Sequence, residues 1–222
     1  MKKKRFAIVI VIACICIISI LYLYLDEKWQ NEQLERISYE FVEALVSLDN
    51  DIVLQGLNLN SLQGDKEVID ILERMGCQFV KEEEGYKIEC QQLKATDIDA
   101  SQCPDIIPVI ALACASANGT SRIYNAKRLR IKECDRLKAT VEVLNCLGIE
   151  AKELEEEMII NGGSITGGNV SSYNDHRMAM MEAIASTVSY HNIIIDNKEC
   201  VKKSYPSFWE HFKKLGGKIN EC

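Results

Sequence analysis

The chain has 222 residues, 47% of them hydrophobic, and a formal net charge of −7. That length holds one good-sized domain and a tail, and the acidic balance excludes a general nucleic-acid surface, which needs clustered cations for phosphate contacts. Ten cysteines are scattered without a CxxC pair and only three histidines accompany them, which argues against a zinc site and for a reducing compartment without a disulfide framework.

In chain order, a basic start (Lys2, Lys3, Lys4, Arg5) precedes an almost wholly apolar run over residues 6–25. Twenty residues at about 1.5 Å each span roughly 30 Å, one bilayer core, which predicts a single-pass membrane anchor. Positive charge before the run predicts a cytoplasmic N-terminus, and no small-x-small site follows it, which favours an anchor over a cleaved signal. Residues 29–35 form a polar linker, and 37–48 read as an amphipathic helix. A strand over 51–59 follows, then a helix over 66–75 with Val68, Ile69, Ile71 and Leu72 on its apolar side, closed by Gly76. Residues 77–90 predict a hairpin turned at Glu84-Gly85. Beyond it come an apolar helix over 106–117, a strand over 120–124, a basic loop, and a helix over about 135–147. The chain closes with a helix over 178–188, a strand over 192–195 and a helix over 207–215.

A repeat underlies this order. Helix, glycine and strand recur at Gly76, Gly148 and Gly216, at intervals of about seventy residues. Asp105 and Asp175, each opening an apolar helix, stand at a similar interval. The fold class expected is α/β, built of repeated units of about seventy residues that bury their helices against one another. The expected divisions are 1–28 (basic start and apolar segment), 29–63 (linker and remnant of a preceding unit) and 64–222 (the lobe itself).

Four stretches carry chemistry. Lys127, Arg128, Arg130, Lys132 and Arg136 crowd the turn into the helix at 135, with Glu133 and Asp135 among them. A helix start leaves N–H groups unpaired and attracts anions, and Arg can clamp a phosphate or carboxylate with two bonds. The alternative is a solvated mixed-charge loop, which is the reading taken for Arg128 and Arg130. Tyr173-Asn174-Asp175-His176-Arg177 places an N-cap acid before a titratable ring and a second cation. Ser101-Gln102-Cys103-Pro104-Asp105 precedes one apolar helix, and Cys200-Val201-Lys202-Lys203-Ser204-Tyr205-Pro206 the last helix.

In this order and spacing, Arg130-Ile131-Lys132-Glu133-Cys134-Asp135-Arg136, Asp175-His176-Arg177-Met178-Ala179-Met180, Pro104-Asp105 and Lys203-Ser204-Tyr205-Pro206 resemble the C-terminal half of the 5-enolpyruvylshikimate-3-phosphate synthase family. Asn58-Leu59-Asn60-Ser61-Leu62-Gln63-Gly64-Asp65 resembles that family's approach to its C-terminal domain. The resemblance covers about residue 47 onward. It implies a two-lobed fold of repeated α/β units, of which this chain has the second. It also implies a cytoplasmic 3-phosphoshikimate 1-carboxyvinyltransferase of the shikimate pathway to chorismate and the aromatic amino acids. Such an enzyme passes an enolpyruvyl group from phosphoenolpyruvate to shikimate 3-phosphate and needs no cofactor or metal.

Residue by residue, the resemblance makes Asp105 the holder of the 5-hydroxyl and its base, with a helix cap as the alternative. Lys132 and Glu133 match the family's proton-transfer pair, with a surface ion pair as the alternative. Asp105 and Lys132 would contact shikimate 3-phosphate. Arg136, Arg177 and Lys203 would hold phosphoenolpyruvate. His176 is either a site residue or a structural histidine, and Asp175 a cap. Cys134 departs from the family's small hydroxyl residue, and residues 35–41 lack its Ser-Ser-Gln substrate loop. The first lobe, with its phosphate-gripping Lys, Ser and Arg, is missing. Activity therefore requires a separate first-lobe chain. The alternatives are an inactive membrane-anchored remnant or anion-binding module, and a relative of the UDP-N-acetylglucosamine enolpyruvyl transferases.

Overall fold

The computed structural model describes residues 53–54, 64–83 and 85–220. The elements fall into three successive units. The first has β1 (Val53–Leu54), α1 (Glu67–Arg74), β2 (Gln78–Lys81) and β3 (Tyr86–Glu89). The second has β4 (Asp97–Asp99), α2 (Ile107–Ala115), β5 (Thr120–Tyr124), a 3-10 helix (Ala126–Ile131), α3 (Arg136–Cys146), β6 (Ala151–Glu153) and β7 (Met158–Asn161). The third has β8 (Gly168–Val170), α4 (His176–Ala185), β9 (Ile193–Ile195), a 3-10 helix (Lys198–Lys203) and α5 (Phe208–Lys214).

Each unit has its own sheet, ordered β1-β3-β2, β4-β5-β7-β6 and β8-β9. β4 lies parallel to β5 and β8 to β9, while β7 runs antiparallel between β5 and β6, as β3 does between β1 and β2. The expected repeat is thus visible in the strand pairing only between neighbouring units, the parallel pair in the second and third and the antiparallel arrangement in the first and second. It is also visible in how helices stop. After α1, α3 and α5 the chain turns through Gly76, Gly148 and Gly216, at φ of 97°, 89° and 105°. In each case the next N–H reaches back to a carbonyl five residues earlier: Cys77 to Leu72, Ile149 to Leu144, Gly217 to Phe212. This is the Schellman closure, which needs a residue that tolerates left-handed backbone.

α2 and α4 are the central helices. All nine residues of α2 and all ten of α4 are buried, so neither has a solvent face. They pack on each other and on α3. α1 is two-faced as its spacing predicts, burying Val68, Ile69, Ile71 and Leu72. Burying α4 whole puts His176, Arg177 and Glu182 in the core.

The helix over 37–48 lies outside the described residues, as does the apolar run at 6–25. The expected membrane-spanning helix belongs to that run. No helix among the described residues is long and apolar enough to cross a membrane. The longest, α3, has eleven residues, about 16 Å against a bilayer core of roughly 30 Å. The helix expected over 178–188 instead spans His176–Ala185, because Asp175 caps it two residues earlier.

Candidate active site

The starts of α2, α3 and α4 converge. Asp135 caps α3, its carboxylate accepting from the Lys138 N–H at 3.1 Å. Asp175 caps α4, accepting from the Arg177 N–H at 2.9 Å. α2 has no side-chain cap: Ile106 stands at its N-cap position, so the Asp105 carboxylate is not used as a cap.

Arg136, the first residue of α3, sits at the centre with 1% of its surface exposed. Its Nε donates to Asp175 Oδ2 at 2.7 Å, Nη1 to Asp105 Oδ1 at 2.8 Å, and Nη2 to Glu133 Oε2 at 2.6 Å and Asp175 Oδ1 at 3.2 Å. A planar guanidinium can grip one carboxylate with two bonds and reach two more from separate nitrogens, which the single nitrogen of an ammonium cannot. Lys132 Nζ lies 2.9 Å from Asp105 Oδ1. Arg177 Nη1 donates to the Asp105 carbonyl at 3.0 Å, and its Nη2 lies 3.8 Å from Asp105 Oδ2. Lys203, at the end of the second 3-10 helix, donates to Glu133 Oε1 at 2.7 Å. His176, 5% exposed, has Nδ1 3.8 Å from Asp175 Oδ1.

Asp105, Ile131, Lys132, Glu133, Arg136, His176 and Arg177 line one cavity of about 330 Å³. Six residues singled out from the sequence therefore surround one space, and the seventh, Lys203, joins them through Glu133. Lys132 and Glu133 are adjacent in sequence yet paired apart, Lys132 with Asp105 and Glu133 with Arg136 and Lys203.

The electrostatics keep the carboxylates charged. Burial works to raise Glu133, but Lys203, a backbone hydrogen bond and Arg136 outweigh it and hold it at about 2. Burial likewise opposes ionisation of Asp105, and Arg177, Lys132 and Arg136 together bring it below its ordinary value. Burial and the neighbouring Asp175 push the Cys134 thiol up to about 12, so it stays protonated, its sulfur 3.6 Å from Asp175 Oδ2. Chemically, the site offers ionised acceptors, guanidinium and ammonium donors, and a buried ring beside a cavity. Cations held by carboxylates can be transferred to an incoming anion.

The remaining cations of the basic stretch do structural work. Arg130 ties Asp135, Glu153 and two backbone carbonyls together, and Arg128 donates to the Ser101 carbonyl. Reading these two as solvated charges missed that role. Sequence reasoning also missed two acids, Asp196 and Glu182, and half the role of a third. Asp175 is a third carboxylate partner of Arg136 as well as a cap; an acid directly before His-Arg was the available signal. Asp196 accepts from the Ser172 N–H and the hydroxyls of Ser171 and Ser172, and so fixes the turn through Tyr173 and Asn174, both at positive φ, that feeds α4. Glu182 is fully buried, and neither of its oxygens meets a hydrogen-bond partner among the described residues. A lone carboxylate in an apolar helix gave no signal.

This arrangement defines one lobe of the enolpyruvyl transferase fold. The EPSP synthase of Acinetobacter baumannii superposes with a TM-score of 0.75 at 28% identity, over 84% of this chain and 46% of that one. The enolpyruvyl transferase NikO of Streptomyces tendae, at 19% identity and a TM-score of 0.65 over 84% and 43% of the two chains, shares the fold. Residues 37–212 match the EPSP synthase (3-phosphoshikimate 1-carboxyvinyltransferase) family, and the chain belongs to it. A 3-phosphoshikimate 1-carboxyvinyltransferase of Clostridium beijerinckii is 53% identical over 178 residues, covering 79% of this chain and 41% of the relative. One from Clostridium perfringens is 51% identical over 177 residues, covering 79% and 42%. The chain thus spans about two fifths of the length of these curated relatives. The match overturns the expected single-pass membrane placement, since the chain is kin to enzymes of a family that the resemblance marked as cytoplasmic, and no described helix could make the crossing.

Proposed function

We propose that the chain supplies the second half of a 3-phosphoshikimate 1-carboxyvinyltransferase, with residues 64–222 as the C-terminal lobe. The substrates are phosphoenolpyruvate and shikimate 3-phosphate. The observation that carries this reading is the cavity where Arg136, Arg177 and Lys132 face Asp105 and Glu133. The names of the curated relatives favour shikimate 3-phosphate over a UDP-sugar as acceptor.

Arg136, Arg177 and Lys203 hold the carboxylate and phosphate of phosphoenolpyruvate. Asp105, ionised and next to Lys132, receives the hydroxyl proton of shikimate 3-phosphate as oxygen attacks C2. Lys132 and Glu133 exchange a proton with the methylene carbon, and phosphate leaves in the elimination that follows. Glu133 at about 2 is a poor acid in the empty site. An arriving anion draws Lys203 and Arg136 away from it, removing the two contacts that depress it, and its proton affinity rises as substrate binds. His176 completes the wall of the site.

A first lobe completes the enzyme, since one lobe cannot exclude water or grip the far side of the substrate. The pairing of strands supports this. β5 is flanked by β4 and β7, whereas its counterpart β9 pairs with β8 and with no other strand among the described residues. Ile194 on β9 is 52% exposed. The test is phosphate release from phosphoenolpyruvate and shikimate 3-phosphate, with and without a family first lobe added in trans. Release that requires the added lobe and disappears in Glu133→Gln is expected. No release from the folded, complemented protein would reject the enzymatic reading, leaving phosphate binding without turnover as the mark of an anion-binding module.

A further inference from the structure

The hairpin of β2 and β3 carries a pair of thiols remote in sequence from the site residues. Cys77 precedes β2 and Cys90 follows β3. The register pairs Gln78 with Glu89 and Lys81 with Tyr86, so the next rung sets Cys77 opposite Cys90. At the turn, the Glu82 N–H donates to the Gly85 carbonyl. Antiparallel rungs alternate between hydrogen-bonded and non-hydrogen-bonded pairs, and counting from that bond puts the cysteines on a non-hydrogen-bonded rung. The Cys77 N–H agrees, donating at 3.0 Å to Leu72 in α1 instead of across the ladder. Such rungs bring Cα atoms to about 4.5 Å, inside the roughly 4.4–6.8 Å that a disulfide spans.

The two side chains are close enough to interact electrostatically, Cys90 adding to the rise that burial causes in the Cys77 thiol. Both cysteines are free thiols, Cys77 buried and Cys90 partly exposed. Burial, then contact with Cys90, raises the Cys77 thiol well above its ordinary value. Cys90 is therefore the sulfur that meets reagents, and Cys77 the one that follows.

We propose that Cys77 and Cys90 form a cross-strand dithiol site for disulfide oxidants. The Cys90 thiolate attacks one sulfur of a small disulfide, R–S–S–R, forming a mixed disulfide and releasing RS⁻. Cys77 then loses its proton and attacks the Cys90 sulfur, expelling a second RS⁻. The two released thiolates take up the two protons, so two protein thiols are oxidised and one small disulfide is reduced to two thiols. The bond spans the joint where α1 ends and the chain turns toward β4, a joint otherwise held by the Lys94 N–H donating to Met75 at 2.9 Å. Closing it restricts the unfolded chain and stabilises the first unit.

The test treats the folded full-length chain with oxidised dithiothreitol or 2-hydroxyethyl disulfide, then denatures, alkylates and maps peptides by mass spectrometry. A peptide linking Cys77 to Cys90 is expected, with a rise in Tm of about 5 °C that reverses on reduction. Cys90→Ser removes both. Residues 77 and 90 that remain fully alkylatable in the oxidised wild-type chain would overturn the proposal. So would links joining either cysteine to a third one in their place.

Discussion

Arg136 and Asp175, 39 positions apart, meet through two hydrogen bonds of 2.7 and 3.2 Å with 1% and 0% of their side chains exposed. This pair joins the start of α3 to the start of α4 and sets the spacing of everything around the cavity. Removing one partner of a buried pair strands the other charge. Arg136→Ala is expected to cost about 3–5 kcal/mol in urea unfolding. Arg136→Lys keeps the charge but loses the two-bond grip on Asp175, so it should recover part of the stability and little of the phosphate binding. A loss under about 1 kcal/mol for the alanine variant would mean the pair behaves as a surface bridge.

Glu133 titrates in a predictable direction. Its folded value, about 2 against an ordinary 4.5, is depressed, so its stabilising contribution is full above 4.5 and is lost as pH falls toward 2. Glu133→Gln should flatten that part of the acid unfolding curve. Saturating phosphate should move the Glu133 carboxyl upward in a carbon-detected NMR titration, because the anion competes for Lys203 and Arg136. A carboxyl that does not respond to phosphate would separate it from the anion site.

Glu182 works with the opposite sign. Burial, with Asp196 nearby, raises it to about 9 from 4.5. The folded protein keeps this proton while the unfolded chain releases it, so stability falls as pH rises from about 4.5 to 9. The slope from one such group is at most about 1.4 kcal/mol per pH unit. Glu182→Gln should therefore be more stable than wild type at pH 7, by up to about 3 kcal/mol, and equal to it near pH 4. Urea unfolding at both pH values decides this; identical profiles would place Glu182 in contact with water.

Gly148 is held at φ 89°, and a Cβ there would lie 2.7 Å from Thr166 Oγ1. Gly148→Ala should lose at least about 1–2 kcal/mol from backbone strain alone. Gly216, at φ 105° with nothing within 4 Å of its Cβ position, should lose only the strain. Parallel thermal melts of the two alanine variants separate the clash from the conformation, and Gly148→Ala should melt lower.

Much of the architecture was legible because its signals are local. α1 shows helical spacing, α2 and α4 are unbroken apolar runs, Glu84-Gly85 marks the hairpin turn, and Gly76, Gly148 and Gly216 recur at the unit spacing. The strands β4 (Asp97-Ile98-Asp99) and β8 (Gly168-Asn169-Val170) were not legible. Each is three residues long, too short for an alternation to register, and each exists because a parallel neighbour pairs with it.

The site divides the same way. Its residue types stood in the sequence as charged runs at helix starts, since capping and anion attraction are properties of a chain segment by itself. Their partners did not. That Lys132 turns to Asp105 while Glu133 turns to Lys203, that Arg136 is buried under Asp105 and Asp175, and that Asp175 both caps and grips, depend on contacts between residues 27 to 70 positions apart. Sequence determined the units, their repeat and the family. Tertiary structure alone decided which charges meet, because ion pairing depends on distance and burial, and only the packing of α2, α3 and α4 sets those.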